Sequence, residues 1–168
     1  MVTIVSDVML VSGIPFLVTF SINIKIRTSE FIPKQTARLL ATSLKKLLMI
    51  YAQGGFIVKL DLMDKKFDAV KEHLPFLEVI ATAAKEHVAE IERELWQVKE
   101  RVECMSSEFL FQLISTMALI YTMYNMCLWL NNFPLRSDIT GGFSPRELVT
   151  GLTVNFTKHY TVDVGAYI

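Results

Sequence analysis

Residues 2–11, VTIVSDVMLV, are rich in β-branched and apolar side chains and predict a strand. Ser12-Gly13 turns the chain into a second strand at 15–20, and Ser21-Ile22-Asn23 turns it again into a third at 24–30. Three short strands joined by tight turns make an antiparallel meander. Pro33 marks a boundary, after which 35–53 takes on helical period. There Ala37, Leu40, Ala41, Leu44, Leu47, Leu48 and Tyr51 form one apolar stripe, and Gly54-Gly55 supplies the stop. Residues 56–63 read as the next strand and 67–73 as a short helix, which Pro75 breaks before a fifth strand at 77–81.

From 85 to 104 the apolar residues Val88, Ile91, Leu95, Val98 and Val102 recur in alternating steps of three and four, the clearest helical pattern in the chain. A second long helix is expected at about 108–131. Ser144-Pro145-Arg146-Glu147 then starts a short one, with Ser as N-cap and Pro at the first helical position. The order βββ-α-β-α-β-α-α predicts an α/β domain: a mixed five-stranded sheet covered by helices, with an extra C-terminal helical hairpin. Residues 1–131 form the expected core, and 132–168 a C-terminal extension of the same domain.

A length of 168 residues suits one domain with a substantial core. Seventeen basic and 17 acidic side chains cancel, so any attraction to nucleic acid has to come from a local patch. The apolar share of 52% keeps a membrane reading open. It centres on 109–130, 22 residues without a charge and long enough to cross a bilayer. Gln112, Ser115, Thr116, Thr122 and Asn125 interrupt that segment, and its flanks lack the positive charge of an anchor. A buried core helix is therefore the preferred reading. The opening MVTIVSDVML has no basic region, which argues against a signal peptide. Cys104 and Cys127 lack metal-ligand spacing and read as reduced core thiols.

Strand alternation sorts the acidic residues. Thr3, Val5, Asp7, Met9 and Val11 share one face of the first strand, so Asp7 stands among largely apolar neighbours. Phe56, Val58, Leu60, Leu62 and Asp64 share a face of the fourth, which puts Asp64 at the end of a core-facing row and leaves Asp61 on the other, expected solvated face. Glu92 follows Ile91 of the helix stripe by one position, about 100° round the axis, at the margin of core and solvent. Three carboxylates drawn from distant segments suit a divalent-metal site. The plainer alternatives are an edge strand for Asp7, a helix cap for Asp64 and an ion pair of Glu92 with Arg93 or Lys99.

Lys85, Glu92 and Lys99, spaced by seven, lie on one helix face, where the lysines could meet phosphates or simply be solvated. Trp96 could stack on a base, but beside a core stripe it reads first as packing. Arg38, Lys45 and Lys46 read as a solvated helix face. His73, His87 and His159 are isolated, which argues against metal ligation by any of them.

The stretches DVMLVSGIPFLVTFSINIK, MDKKF, AAKEHVAEIERELWQVKERVE, WLNNFP, SPRELVTG and KHYTVDVGAYI occur in this order and together resemble the integrase core of copia-type retrotransposons. The resemblance spans nearly the whole chain. It implies a ribonuclease-H-like fold whose first catalytic aspartate falls on Asp7. The second falls on Asp64 of Asp64-Lys65-Lys66-Phe67, and the glutamate on Glu92 of the Glu92-Arg93 pair. By this resemblance Asp7, Asp64 and Glu92 are both the catalytic residues and the ligands of two Mg²⁺ or Mn²⁺ ions. The implied reaction is DNA 3′-end processing and strand transfer. Lys85, Arg93 and Lys99 become the nucleic-acid-binding residues. The implied partner is DNA (retroelement ends and target), with a possible homo-oligomer and no small-molecule cofactor, acting in the nucleus or a cytoplasmic particle.

The chain also departs from that pattern. Lys65 and Lys66 stand where small and acidic residues usually follow the second aspartate. Asp64 and Glu92 are 28 positions apart, fewer than is usual in the family, and no His/Cys zinc module precedes the core. These features read as a fragment or degenerate copy. They keep two alternatives in view: an inactive remnant retaining the fold for nucleic-acid binding or self-association, and a small membrane protein anchored by 109–130.

Overall fold

The computed structural model describes residues 1–82, 88–108, 114–133, 142–155 and 157. Strands β1 (Val2–Val11), β2 (Ile14–Ser21) and β3 (Arg27–Phe31) form the expected meander. Ser12 and Gly13 both take positive φ, 48° and 79°, the geometry of a two-residue hairpin turn that lets Val11 pair directly with Ile14. Helix α1 (Ala37–Gln53) is capped by Thr36, whose hydroxyl accepts from the Leu39 N–H. Strand β4 (Val58–Asp64) follows, then a 3₁₀ segment (Lys65–His73) in place of the expected short α-helix, and strand β5 (Glu78–Thr82). Helices α2 (Val88–Glu108), α3 (Thr116–Leu130) and α4 (Pro145–Thr150) complete the fold.

The five strands lie in the order β3-β2-β1-β4-β5, antiparallel through the meander and parallel from β1 to β4 to β5. Each face of this mixed sheet carries its own core. On one side Ile4, Leu17 and Met63 pack with Leu40, Leu44, Leu47 and Tyr51 of α1. On the other, Met9, Val11, Phe16 and Val18 pack with Val98 and Val102 of α2 and with Leu119, Met123 and Cys127 of α3. A fully buried aliphatic side chain in such a core contributes about 1.5–3 kcal/mol. Helix α4 joins the α1 side through Val149. A Cβ at Gly54 would stand only 2.7 Å from the Val149 carbonyl oxygen, so the close seating of α4 depends on a glycine there. The N-cap expected at Ser144 is present and closes a capping box with Glu147, whose carboxyl is held below its usual range by the Ser144 backbone and hydroxyl bonds.

Three expectations are corrected. The helix anticipated at 108–131 is instead the 15-residue α3, because the Ser115 hydroxyl accepts from the Ala118 N–H and starts a new helix there. Among the described residues no helix is long and apolar enough to cross a membrane; residues 109–113 lie outside them. Cys104 is exposed on α2 rather than in the core, whereas Cys127 is buried and its thiol is pushed up to about 11 by burial.

The third correction is Asp61, which is fully buried rather than solvated. Its parity places it on the face opposite Asp64, as expected, but α1 covers that face and β4 lies inside the sheet. The Ser6 hydroxyl, on the neighbouring strand, lies 2.8 and 2.9 Å from its two carboxylate oxygens. Close by, Thr28, Thr19 and Tyr51 form a second buried chain, with oxygen separations of 2.6 and 3.2 Å. Burial drives the Asp61 carboxyl well above the usual range, and the Ser6 bond only partly offsets this.

A carboxyl raised on folding binds more protons in the native than in the unfolded state. Its stabilising effect is complete below about pH 4, where the unfolded group protonates, and is lost as pH rises towards the native value. We expect Asp61→Asn, which keeps the shape and the Ser6 contact, to raise the urea midpoint at pH 7. The parent is expected to lose up to about 1.4 kcal/mol per pH unit above pH 4, a slope the variant lacks. Equal stabilities across pH 4–8 would contradict the buried-acid assignment.

Candidate active site

The parallel pairing of β1 with β4 sets Thr3 opposite Leu60, Val5 opposite Leu62 and Ser6 opposite Met63. Asp7 and Asp64 are the next residue on each strand, so the register carried one step further sets them side by side on adjacent strands, whose backbones run about 4.8 Å apart. Both share the face of Val5 and Leu62, the side covered by α2. Asp64 also pairs with Thr82 of β5, at the C-terminal end of β4, where parallel sheets expose their binding crevices. Asp7 is half-buried, and one of its carboxylate oxygens accepts from the Val8 N–H at 2.7 Å; Asp64 is exposed.

The rotation of α2 decides where Glu92 lies. Ile91 packs with Val5, Phe20 and Leu62, and Leu95, Val98 and Val102 continue that stripe over the sheet. Glu94 reaches sideways to Arg27 of β3, whose Nε donates to its carboxylate at 2.8 Å and whose second nitrogen, Nη2, pairs with the same oxygen. Arg27 is buried, and its guanidinium also lies over the Phe20 ring, 5.5 Å from the centroid. Its backbone exchanges two hydrogen bonds with the Asn131 side chain at the end of α3, at 2.8 and 2.6 Å. One residue therefore ties the edge strand to both helices of the hairpin.

Because Glu94 points towards β3, the opposite flank of α2 turns towards β4 and β5. At about 100° per residue, Glu92, Trp96 and Lys99 fall within about 60° of one another on that flank. Glu92 is exposed and follows directly on Ile91, which sits over the residues preceding the two aspartates on their common face. All three acids thus belong to one side of the sheet.

They do not yet form a closed cage: among the described residues no three Asp, Glu, His or Cys side chains stand close enough to hold a metal ion. The donor chemistry fits a hard divalent cation, since all three are carboxylates. Of the proposed nucleic-acid contacts, Arg93 is exposed on the outer face of α2, while Lys99 is half-buried with its ammonium 3.8 Å from Glu103. Lys85 lies outside the described residues, as do His87 and His159. Trp96 is 64% exposed, which corrects the packing reading. Arg27 was not anticipated, because nothing in RTSEF distinguishes it until the sheet order brings α2 and α3 beside β3.

A groove of about 360 Å³ opens between β3, α1 and α3, lined in part by Ile26, Leu47, Tyr124, Leu128 and Val149. It contains none of the three acids and lies at the far edge of the sheet from β4 and β5.

No protein-family model and no curated protein matches the sequence. The fold is another matter. The chain superposes on the catalytic core domain of BIV integrase with a TM-score of 0.64, covering 89% of this chain and 93% of that one at 14% identity. The fold is that of an integrase catalytic core. The mixed five-stranded sheet and its helices are accordingly ribonuclease-H-like, as the motif order implied.

Breaking a buried ion pair from one side leaves the other charge stranded, at a cost of about 3–5 kcal/mol. Glu94→Ala is therefore expected to lower the unfolding free energy by several kcal/mol, whereas Glu92→Ala leaves it within about 0.5 kcal/mol. Urea unfolding of both variants checks this, and equal effects would contradict the rotation assigned to α2.

Proposed function

We propose that the chain is the catalytic core of a retroelement integrase, transferring DNA phosphodiester bonds with the help of a divalent metal. The observation that carries the reading is the parallel register of β1 and β4, paired up to Ser6 and Met63, the residues directly before Asp7 and Asp64. Its support beyond that is the integrase-core fold and the position of Glu92 on the helix over the same face. The finer assignment to copia-type elements draws on the sequence motifs quoted above.

In this reading Asp7 and Asp64 on the sheet, with Glu92 on α2, are the residues that would hold Mg²⁺ or Mn²⁺. A bound divalent ion supplies positive charge to the phosphodiester and lowers the pKa of a water or 3′-hydroxyl. The protein's own part is positional. The strand register fixes the spacing of the two aspartates, and the Arg27–Glu94 pair sets the angle at which Glu92 is presented. Arg93 and Lys99 would bind the DNA backbone without reading sequence. The substrate is DNA, both element ends and target, and the place of action is the nucleus or a cytoplasmic particle.

A second reading draws on the sequence: Lys65 and Lys66 directly follow Asp64 where the integrase pattern has small and acidic residues. On that reading the chain keeps the fold for nucleic-acid binding or self-association without catalysis.

Incubation with a short DNA duplex and Mn²⁺ separates the two. The catalytic reading predicts nicked and joined products that fall by about 100-fold or more in Asp7→Asn and in Asp64→Asn. It also predicts that Mg²⁺ raises the melting temperature of the parent but not of Asp64→Asn. A folded parent with no products and no metal-dependent melting shift establishes the second reading.

A further inference from the structure

Trp96 presents an indole to solvent where packing would bury it. Its 64% exposure leaves on the order of 100 Å² of aromatic surface in water. Among the described residues no ring or cation stacks on it, whereas Trp129, the chain's second tryptophan, packs edge-on against Phe133 at 4.9 Å.

Its position along α2 is informative. Ile91 belongs to the cluster of Val5 and Leu62, and Val98 to the cluster of Met9 and Val11. Asp7 lies between Val5 and Met9 on that face, so the helix passes its stretch of β1 between Ile91 and Val98. Trp96 lies one turn beyond Glu92, about 6 Å along the axis, on the flank turned to β4 and β5. Arg93 stands beside it, exposed on the outer face. Glu100 and Glu103 lie on the same side, and Lys99 is drawn towards Glu103.

We infer that Trp96 is a base-stacking residue that receives an unpaired nucleobase at the end of the DNA strand presented to Asp7, Asp64 and Glu92. The inference rests on the nucleic-acid reading above and deepens it by naming the form of DNA taken: a strand with an open terminal base. Bases inside a duplex already stack on one another, so only a frayed or overhanging end offers a free π-face to the indole.

The test uses the full chain carrying Trp129→Phe, which leaves Trp96 as the sole tryptophan. The probes are a short duplex with a single-stranded 3′ overhang and the same duplex blunt-ended, with Ca²⁺ as the cation. The overhang duplex is expected to quench Trp96 emission, and the blunt one to do so weakly. In fluorescence anisotropy, Trp96→Ala is expected to bind the overhang duplex roughly 5- to 100-fold more weakly, while Trp96→Phe keeps most of the affinity. Because stacking releases no counterions, that factor is expected to be the same at low and physiological salt.

Unchanged affinity in Trp96→Ala, or unchanged emission on saturation with the overhang duplex, overturns the inference. So does an emission shift that follows protein concentration without DNA, which assigns the indole to a contact with a second copy. A chain that cuts DNA yet shows no Trp96 effect keeps the catalytic reading and loses this one. A chain that quenches on overhang DNA but cuts nothing does the reverse.

Discussion

The register of β1 against β4 is the constraint on which the rest of the molecule depends. These strands lie side by side inside the sheet, and their pairing fixes what stands level on each face. On the α1 side it sets Ser6 against the Asp61 carboxyl, and on the α2 side it brings Asp7 level with Asp64. A slip of one residue would turn one aspartate to the opposite face and pull the serine from its acid. The buried polar contact on one side and the exposed pair of acids on the other are two consequences of one alignment. The first makes the second reproducible, because a wrong register leaves Asp61 buried without a donor.

Four carboxyl groups close to this sheet meet their surroundings in three ways. Asp61 is taken out of water with only a hydroxyl for company, and burial pushes it towards its neutral form. Glu94 is matched by a buried guanidinium, so its charge locks a helix in place. Asp64 and Glu92 are left at the solvent margin, where an external cation can reach them. The division follows the architecture: structural acids sit under helices or against the edge strand, and accessible ones collect at the C-terminal end of β4.

Much of this was legible in the chain before any coordinates. Periodicity locates all five strands and the helices at 37–53 and 88–108 within a few residues, and strand parity separates Asp64 from Asp61. What parity does not carry is which faces are covered. Asp61 was expected in water because the helix that buries it, α1, is set by topology and not by neighbouring residues. Trp96 was misassigned for the converse reason. It adjoins the core stripe in sequence, yet the Glu94–Arg27 pair rotates it into solvent. The helix at 116–130 was over-extended because an uninterrupted apolar run hides a serine cap. Arg27 carried no local signal, since its importance comes from the contacts that α2 and α3 make with an edge strand far away in sequence.

The account stands or falls on whether the paired strands present one metal site. Anomalous scattering from a crystal grown with Mn²⁺ measures this directly. The predicted result is a peak bridging the carboxylates of Asp7 and Asp64, within about 2–2.5 Å of an oxygen from each. Mn²⁺ bound elsewhere on a well-ordered chain, or held by one aspartate with the other turned away, would contradict it.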